Sequence, residues 1–175
     1  MSDVYRGEMH GRAVALKVLR EFQYGDHEER ARKRKRFYWE ALIWRQLYHR
    51  NIHPFLGVHE SSDQPLCIVS PWQPEGNLIA FLKSPNAIMR STRLEMLAEI
   101  ADALAYLHRL KPPLVHGDLK GANVLVSSEG IPRLADFGIS KFVNQERSAP
   151  EALQLQNLRL ALDKELKVRD SHFST

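Results

Sequence analysis

The sequence lacks several features that would each point to a class of protein. It has one cysteine, Cys67, in 175 residues, so no internal disulfide can form and a reducing compartment is expected. No apolar run approaches the roughly 18 residues that span a bilayer, and residues 1–11 lack the apolar core of a signal peptide. No internal repeat or low-complexity tract is present. We therefore expect a cytoplasmic protein, with the nucleus as the alternative, and no membrane partner.

What remains is an ordinary globular composition with one unusual charge cluster. Hydrophobic residues make up 43% and charged residues 26%, a balance typical of a folded domain. Six basic residues fall within residues 30–36 of a chain whose net charge is +4. Such a block can bind nucleic acid or act as a nuclear address. The alternative, which we favour, is a solvated loop and first turn that lead into a helix beginning near Phe37, so a nucleic-acid partner is not expected.

Apolar periodicity predicts a mixture of strands and helices. Leu66, Ile68 and Val69 flank Cys67 and indicate a buried strand thiol. A connector with Pro71, Pro74 and Gly76 is the best boundary between two lobes. Strands are predicted at 13–19, 66–70, 124–126 and 131–134. Helices are predicted at 37–48, after Asn77, at 93–110 and at 151–169. In the helix at 93–110, an apolar stripe is formed by Leu94, Leu97, Ala101, Leu104 and Leu107.

Lys17 lies inside the apolar strand Val14–Lys17 (V-A-L-K). An ammonium group in such a strand needs a carboxylate or a phosphate, because burial of an unpaired charge is costly. Glu40, on the following helix, is the obvious carboxylate. A structural ion pair, or a lysine that reaches solvent at the strand edge, explains the same pattern.

Two further motifs carry groups suited to phosphate chemistry. His116–Asn123 (H-G-D-L-K-G-A-N) places an aspartate and an asparagine five positions apart around a lysine. Asp136–Gly138 (D-F-G) follows a predicted strand, and its carboxylate suits a hard cation such as Mg²⁺. A plain turn explains D-F-G equally well when the motif is taken alone. Ser70–Gln73 offers backbone groups that could hydrogen-bond an adenine edge.

Taken in order, these motifs resemble the signature of the protein kinases: V-A-[IL]-K, a helix glutamate, H-x-D-L-x-x-x-N and D-F-G. The resemblance covers roughly residues 4–140. The lysine two residues after Asp118 is similar to that of serine/threonine kinases. The sequences at 66–72 (L-C-I-V-S-P-W) and 104–108 (L-A-Y-L-H) are similar to those of the tyrosine-kinase-like branch. The resemblance implies an α+β, two-lobed kinase fold that uses ATP and Mg²⁺.

The resemblance also assigns roles residue by residue. Lys17 would contact the α- and β-phosphates while held by Glu40, Asp118 would orient the substrate hydroxyl, and Lys120 would offset charge on the γ-phosphoryl group. Asn123 and Asp136 would hold Mg²⁺. The residues implied around the adenine are Ala15, Leu125, Ser70, Pro71 and Gln73.

Three departures limit the resemblance, and the first and third of them lead us to expect a domain truncated at both ends. Only three residues precede Val4, where the glycine-rich loop would lie, so this loop is expected to be missing. Gly117 stands where the motif usually has arginine. Ala149-Pro150-Glu151 matches A-P-E but comes 13 residues after Asp136 with 24 residues following, so the later helices of the second lobe are expected to be absent.

The expected domains are a partial N-terminal lobe at 1–72, a partial C-terminal lobe at 73–151 and a helical tail at 152–175. The predicted function is phosphoryl transfer from ATP to serine or threonine hydroxyls of proteins, with tyrosine as a further acceptor. The alternative is a pseudokinase-like binding or regulatory module whose partner, a full-length kinase or another protein, covers the incomplete second lobe.

Overall fold

The computed structural model describes residues 2–19, 27–60, 66–84 and 92–143. The described chain forms two compact units, one of residues 2–46 and 55–72 and the other of residues 47–54 and 73–143. The domain division expected from the sequence stays a prediction. The predicted tail helix and the A-P-E match lie outside the described residues.

The first unit contains a four-stranded antiparallel sheet in the order β1-β2-β4-β3. Its strands are β1 (Ser2–Met9), β2 (Arg12–Leu19), β3 (Gly57–His59) and β4 (Cys67–Pro71). The β1–β2 hairpin turns at His10 and Gly11, which have φ angles of 51° and 74°, as a two-residue turn between twisted strands requires. The strands predicted at 13–19 and 66–70 are confirmed as β2 and β4.

Helix α1 (His27–Arg45) belongs to the same unit. The prediction that this helix begins near Phe37 is wrong, because it begins ten residues earlier. Arginine, lysine, glutamate and alanine are good helix formers, and Glu28 and Glu29 in the first turn suit the positive end of the helix dipole. The basic block is therefore helical rather than a loop, while burial begins only at Phe37.

The described residues of the second unit form two α-helices, a short 3-10 helix at Gly121–Asn123 and two two-stranded antiparallel sheets. Asn77 caps α2 (Leu78–Phe81) by accepting a 2.9 Å hydrogen bond from the Ala80 amide. Thr92 and Glu95 form a capping box at the start of α3 (Arg93–Arg109). The remaining strands pair as β5 (Leu114–Val115) with β8 (Lys141–Phe142), and as β6 (Val124–Val126) with β7 (Pro132–Leu134).

The predicted apolar stripe of α3 is wrong for most of its members. Leu94 and Leu97 are 77% and 61% exposed, Ala101 is also exposed, and Leu104 is half-buried. Leu107 is buried as expected, and the remaining buried positions are Met96, Ile100 and Ala103. Both sides of the helix carry apolar residues, so periodicity alone could not identify the side that packs.

The segment at 47–54 brings the chain from α1 into the second unit. Asn51 is buried, and its side-chain Nδ2 donates to the Pro132 carbonyl at 3.0 Å. The backbone continues the contact, since the Leu134 amide donates to Asn51 O and the His53 amide donates to Leu134 O. These bonds fix β7, which precedes the D-F-G motif.

None of the described helices combines the length and apolar character that crossing a bilayer requires.

Candidate functional site

In the first unit, Lys17 and Glu40 form the ion pair that the sequence predicted. Lys17 Nζ lies 2.6 Å from Glu40 Oε1, and the two side chains are 20% and 9% exposed. Lys17 lies in the middle of the sheet, opposite Val4 on β1 and Ile68 on β4. Glu40 comes from the part of α1 that is buried. The pair places an ammonium group on β2 in a geometry fixed by the helix.

Ala15, Ser70 and Pro71, three of the five residues implied at an adenine, lie in the same sheet. Ala15 on β2 is directly opposite Ser70 on β4, and Val14 is opposite Pro71. The Trp72 amide, just after β4, donates to Ala13 O at 3.1 Å. The structure thus brings this part of the predicted set together at one end of β2 and β4.

Gln73 and Leu125, the other two, belong to the second unit. Gln73 Nε2 lies 3.4 Å from His53 Nδ1. Leu125 is half-buried in β6, and it forms an isolated β-bridge with Asn77. Near the start of α2, Val126 N donates to Gly76 O at 2.9 Å and Gly76 N donates to Gln73 O at 3.1 Å.

Asp118 is the centre of a hydrogen-bonded loop in the second unit. Its Oδ2 accepts from Lys120 Nζ at 2.6 Å and from Asn123 Nδ2 at 2.9 Å. Asn123 Nδ2 also donates to the backbone carbonyl of Asp118 at 2.9 Å. These bonds, first that of Lys120 and then that of Asn123, hold the pKa of Asp118 below its ordinary value. The same bonds fix the direction in which the carboxylate points.

His116 joins this loop to the segment that carries Asp136. The histidine is buried, and its Nδ1 accepts from the Asp118 amide at 3.3 Å. Nε2 lies 3.0 Å from Ala135 O, so the neutral tautomer with the proton on Nε2 satisfies both contacts. Burial lowers the pKa of His116, with partial compensation from Ala135 O, and so favours this neutral form.

Sequence reasoning gave His116 no role beyond its place in the motif. Its ring also packs edge-on against buried Phe137, with centroids 5.1 Å apart. The His116 carbonyl accepts from Ser140 Oγ at 2.8 Å. A single histidine at the start of the loop motif was the available signal, but its partners at 135, 137 and 140 become evident only in the fold.

Asn123 and Asp136 are the predicted magnesium ligands, and their backbones are linked through one residue. The Ala135 amide donates to Asn123 O at 2.8 Å, and Asp136 follows with a φ of 66°. Positive φ is uncommon for a residue other than glycine and is often found where a side chain is held for function. Both of these hydrogen bonds of the Asn123 side chain are donated by Nδ2, and neither uses Oδ1, the oxygen of the same amide.

This donor set fits Mg²⁺. The described residues contain no cluster of three or more histidine, cysteine, aspartate or glutamate side chains that could hold a metal by themselves. Mg²⁺ commonly uses one or two protein oxygen ligands and completes its octahedron with water and phosphate oxygens. One amide oxygen and one carboxylate match that preference better than they match a structural zinc site.

Gly117 has a structural reason for being glycine. Its φ is 83°, and a Cβ built on its backbone would lie 3.0 Å from the carbonyl oxygen of Ile139. An L-residue would therefore be strained in this loop.

Cys67 is confirmed as a buried strand thiol, and burial raises its pKa to about 11. The thiol is protonated at neutral pH, so it is a poor nucleophile.

Comparisons with known proteins identify a matching family and several relatives. A family model described as "Protein tyrosine and serine/threonine kinase" matches residues 1–160. The serine/threonine-protein kinase CTR1 of Arabidopsis thaliana is 36% identical over 141 residues, which cover 79% of this chain and 16% of that protein. Serine/threonine-protein kinase 12 of the same plant is 34% identical over 145 residues, covering 82% of this chain and 30% of that protein.

An animal protein gives a similar result. The mitogen-activated protein kinase kinase kinase dlk-1 of Caenorhabditis elegans is 36% identical over 137 residues, which cover 78% of this chain and 13% of that protein. The chain thus spans less than a third of the length of each of these three relatives.

Proposed function

We propose, from the premise that this chain belongs to the protein tyrosine and serine/threonine kinase family, that it transfers the γ-phosphoryl group of ATP to serine or threonine hydroxyls of a protein. The observation that carries this proposal is the Asp118 loop, in which Lys120 and Asn123 both hydrogen-bond the same carboxylate oxygen. Phosphoryl transfer depends on positioning and charge stabilisation more than on covalent catalysis. A fixed carboxylate beside an ammonium group supplies both.

Asp118 orients the acceptor hydroxyl in this mechanism. Lys120 and Asn123 hold its carboxylate in one orientation, and the anion accepts the hydroxyl's hydrogen bond. Lys120, whose side chain is 54% exposed, can turn from Asp118 toward a phosphate oxygen and offset its charge. The lysine in this position, together with the serine/threonine kinases among the relatives, supports serine or threonine as the acceptor, with tyrosine secondary.

Lys17 binds the α- and β-phosphates of ATP in the proposed mechanism. Its ammonium group is kept in the strand by Glu40 at 2.6 Å, so little conformational entropy is lost when the phosphates bind. Asn123 and Asp136 would hold Mg²⁺, which supplies charge neutralisation on the phosphates when bound. Ala15 and Leu125 would enclose the adenine, Ser70 would lie behind it, and Pro71 and Gln73 would bind its edge.

The decisive experiment is transfer of radiolabel from ATP to a generic protein substrate. The Asp118→Asn variant keeps the size of the side chain but removes its charge, and we expect transfer to fall by about a hundredfold or more. Glu129→Gln, an exposed carboxylate on the turn after β6, is the matched control and should retain activity. Equal transfer by wild type and Asp118→Asn would refute the proposed function.

A second candidate function, that of a regulatory binding module, is favoured by one observation. Leu94 and Leu97 are 77% and 61% exposed on the same side of α3, and exposed apolar patches commonly mark protein interfaces. Wild type that binds Mg²⁺–ATP but transfers no phosphate would favour this module over the kinase. The single cysteine supports a reducing compartment such as the cytoplasm for either function.

A further inference from the structure

The whole net positive charge of the chain lies in the first ten residues of one helix. Residues 27–36, here called the basic arm, hold six of the 25 lysine and arginine residues and two of the 21 aspartate and glutamate residues. The remaining 19 basic and 19 acidic residues balance, so the net charge of the arm equals the +4 of the chain. A charge so concentrated creates a local positive potential that attracts anionic partners.

The structure makes the basic arm a helix that is exposed on nearly every side. Eight of its ten residues are exposed, and only Glu29 and Lys33, which pair with each other at 2.7 Å, are half-buried. Arg34 also pairs with Glu60 beyond β3. With about 100° of rotation per residue, the six basic side chains surround the helix axis rather than form a single stripe.

The same arrangement works against the helix itself. Arg30 and Arg34, and likewise Arg32 and Arg36, are like charges four residues apart, and such pairs destabilise a helix. Arg30 also lies in the first turn of α1, where the helix dipole disfavours positive charge. A bound polyanion would relieve both effects, so binding and helix stability must be coupled.

We propose that the basic arm is a docking site for an acidic segment of a partner protein, and that occupation of the arm stabilises the Lys17–Glu40 pair. The arm and Glu40 belong to one uninterrupted helix, His27–Arg45, so a ligand that stabilises the first turns favours the helix that presents Glu40. The docking stands on the charge and exposure of the arm alone. The regulatory consequence rests on the proposed kinase function.

The chemistry of the arm favours a flexible acidic protein segment over other polyanions. Residues 27–36 contain no aromatic side chain on which bases could stack, and basic side chains that surround the helix axis cannot all face one groove of a duplex. A flat lipid surface would reach only the basic residues on one side of the helix. A flexible acidic segment can wrap the axis and reach charges on every side.

The test is binding of poly-L-glutamate to the full chain by titration calorimetry at 0.1 M salt. The arm variant carries four changes at exposed positions: Arg30→Gln, Arg32→Gln, Lys35→Gln and Arg36→Gln. The control lowers the net charge by the same amount at exposed positions elsewhere: Arg12→Gln, Arg93→Gln, Arg109→Gln and Lys111→Gln. We expect the Kd to rise at least tenfold in the arm variant and less than threefold in the control.

Equal losses in the two variants would overturn the docking site, because they would show a general charge effect. Tighter binding of a 20-base-pair DNA duplex, or of phosphatidylserine vesicles, than of poly-L-glutamate would overturn the assignment to an acidic protein segment. Failure of poly-L-glutamate to bind wild type at 0.1 M salt would overturn the proposal altogether.

Hydrogen exchange separates docking from its effect on Glu40. Poly-L-glutamate should slow exchange across all of α1 in wild type, including the amides near Glu40, and should increase phosphate transfer severalfold. Glu40→Gln should still bind the polymer without any increase in transfer. Protection confined to residues 27–36 would overturn the coupling. Binding with α1 protection in a protein that transfers no phosphate would refute the proposed function and leave the docking site standing.

Discussion

In the first unit the charged pair Lys17–Glu40 joins residues 23 positions apart, whereas in the second unit Asp118 and Asn123 are five positions apart. The first pair exists only where α1 packs against the sheet, and Glu40 is 7% exposed. The second is formed within one loop, and the side chains of Asp118 and Lys120 are 37% and 54% exposed. The Lys17–Glu40 pair should therefore contribute to the stability of the fold and depend on the position of α1. The Asp118 loop should matter for catalysis, and changes in it should have little effect on stability.

The largest expected effect on stability follows from Glu40→Ala. It leaves the Lys17 ammonium, only 20% exposed, without the carboxylate that compensates its burial, and we expect the free energy of unfolding to fall by about 3 kcal/mol. Urea unfolding measures this loss. Glu28→Ala, in the exposed first turn of the same helix, is the control and should cost about 0.5 kcal/mol. Equal losses from the two variants would show that the pair does not hold α1 to the sheet.

Ligand binding gives the next effect and tests whether both units contribute to one function. Mg²⁺–ATP at about a hundred times its Kd should add roughly 2.7 kcal/mol of stability, measured by thermal unfolding. ATP with EDTA should add much less, because Asn123 and Asp136 need the cation to hold phosphate. Hydrogen exchange should slow both at β2 and at residues 116–136. Absence of any shift at millimolar ATP would argue against nucleotide binding by this chain.

The sequence was informative where a residue type demanded a partner. An ammonium group in an apolar strand predicted a carboxylate or a phosphate as its partner, and Glu40, the obvious carboxylate, is the partner observed. Cys67, flanked by apolar residues, is buried as expected. Both inferences depended on the high cost of exposing or burying one particular group. The catalytic, nucleotide and metal roles of these residues remain predictions, since they concern ligands.

Sequence reasoning failed where two structures cost about the same. The arginines and lysines at 30–36 are compatible with both an exposed helix and a solvated loop, so the sequence did not locate the start of α1. On α3, Leu94 and Met96 are both apolar, and only the fold shows that Met96 is the buried one. The reason for glycine at position 117 likewise needs the position of Ile139 O. The last two of these outcomes were decided by tertiary contacts that no local pattern contains.

A smaller effect is expected from His116→Leu in the second unit. The change removes the acceptor for the Asp118 amide and the donor to Ala135 O, and we expect a loss of about 2 kcal/mol in the free energy of unfolding. His108→Leu makes the same chemical change at an exposed position of α3 and should alter stability by less than about 0.5 kcal/mol. A loss no larger than the control's would mean that His116 does not connect the loop to the D-F-G segment.

The smallest effect is the one that distinguishes the exposed loop from the buried pair most directly. Lys120 is the main cause of the lowered pKa of Asp118, and Asn123 is the second. We expect Lys120→Met to raise the pKa of Asp118 toward its ordinary value, and Asn123→Ala to raise it by less, as followed by carbon NMR of the carboxyl group. Lys141→Met, at an exposed position in β8, should leave it unchanged.

The sign of the accompanying pH dependence follows from the direction of this shift. A carboxyl whose pKa is lower in the folded chain stabilises the fold above the unfolded value of about 3.9, and this stability is lost as the pH falls through the folded pKa. Lys120→Met should therefore make the free energy of unfolding depend less on pH in the acid range. At pH 7 it should change that free energy by less than Glu40→Ala does. If Lys120→Met were as destabilising at pH 7 as Glu40→Ala, both charged clusters would be structural, and the contrast between a stabilising pair and a catalytic loop would be wrong.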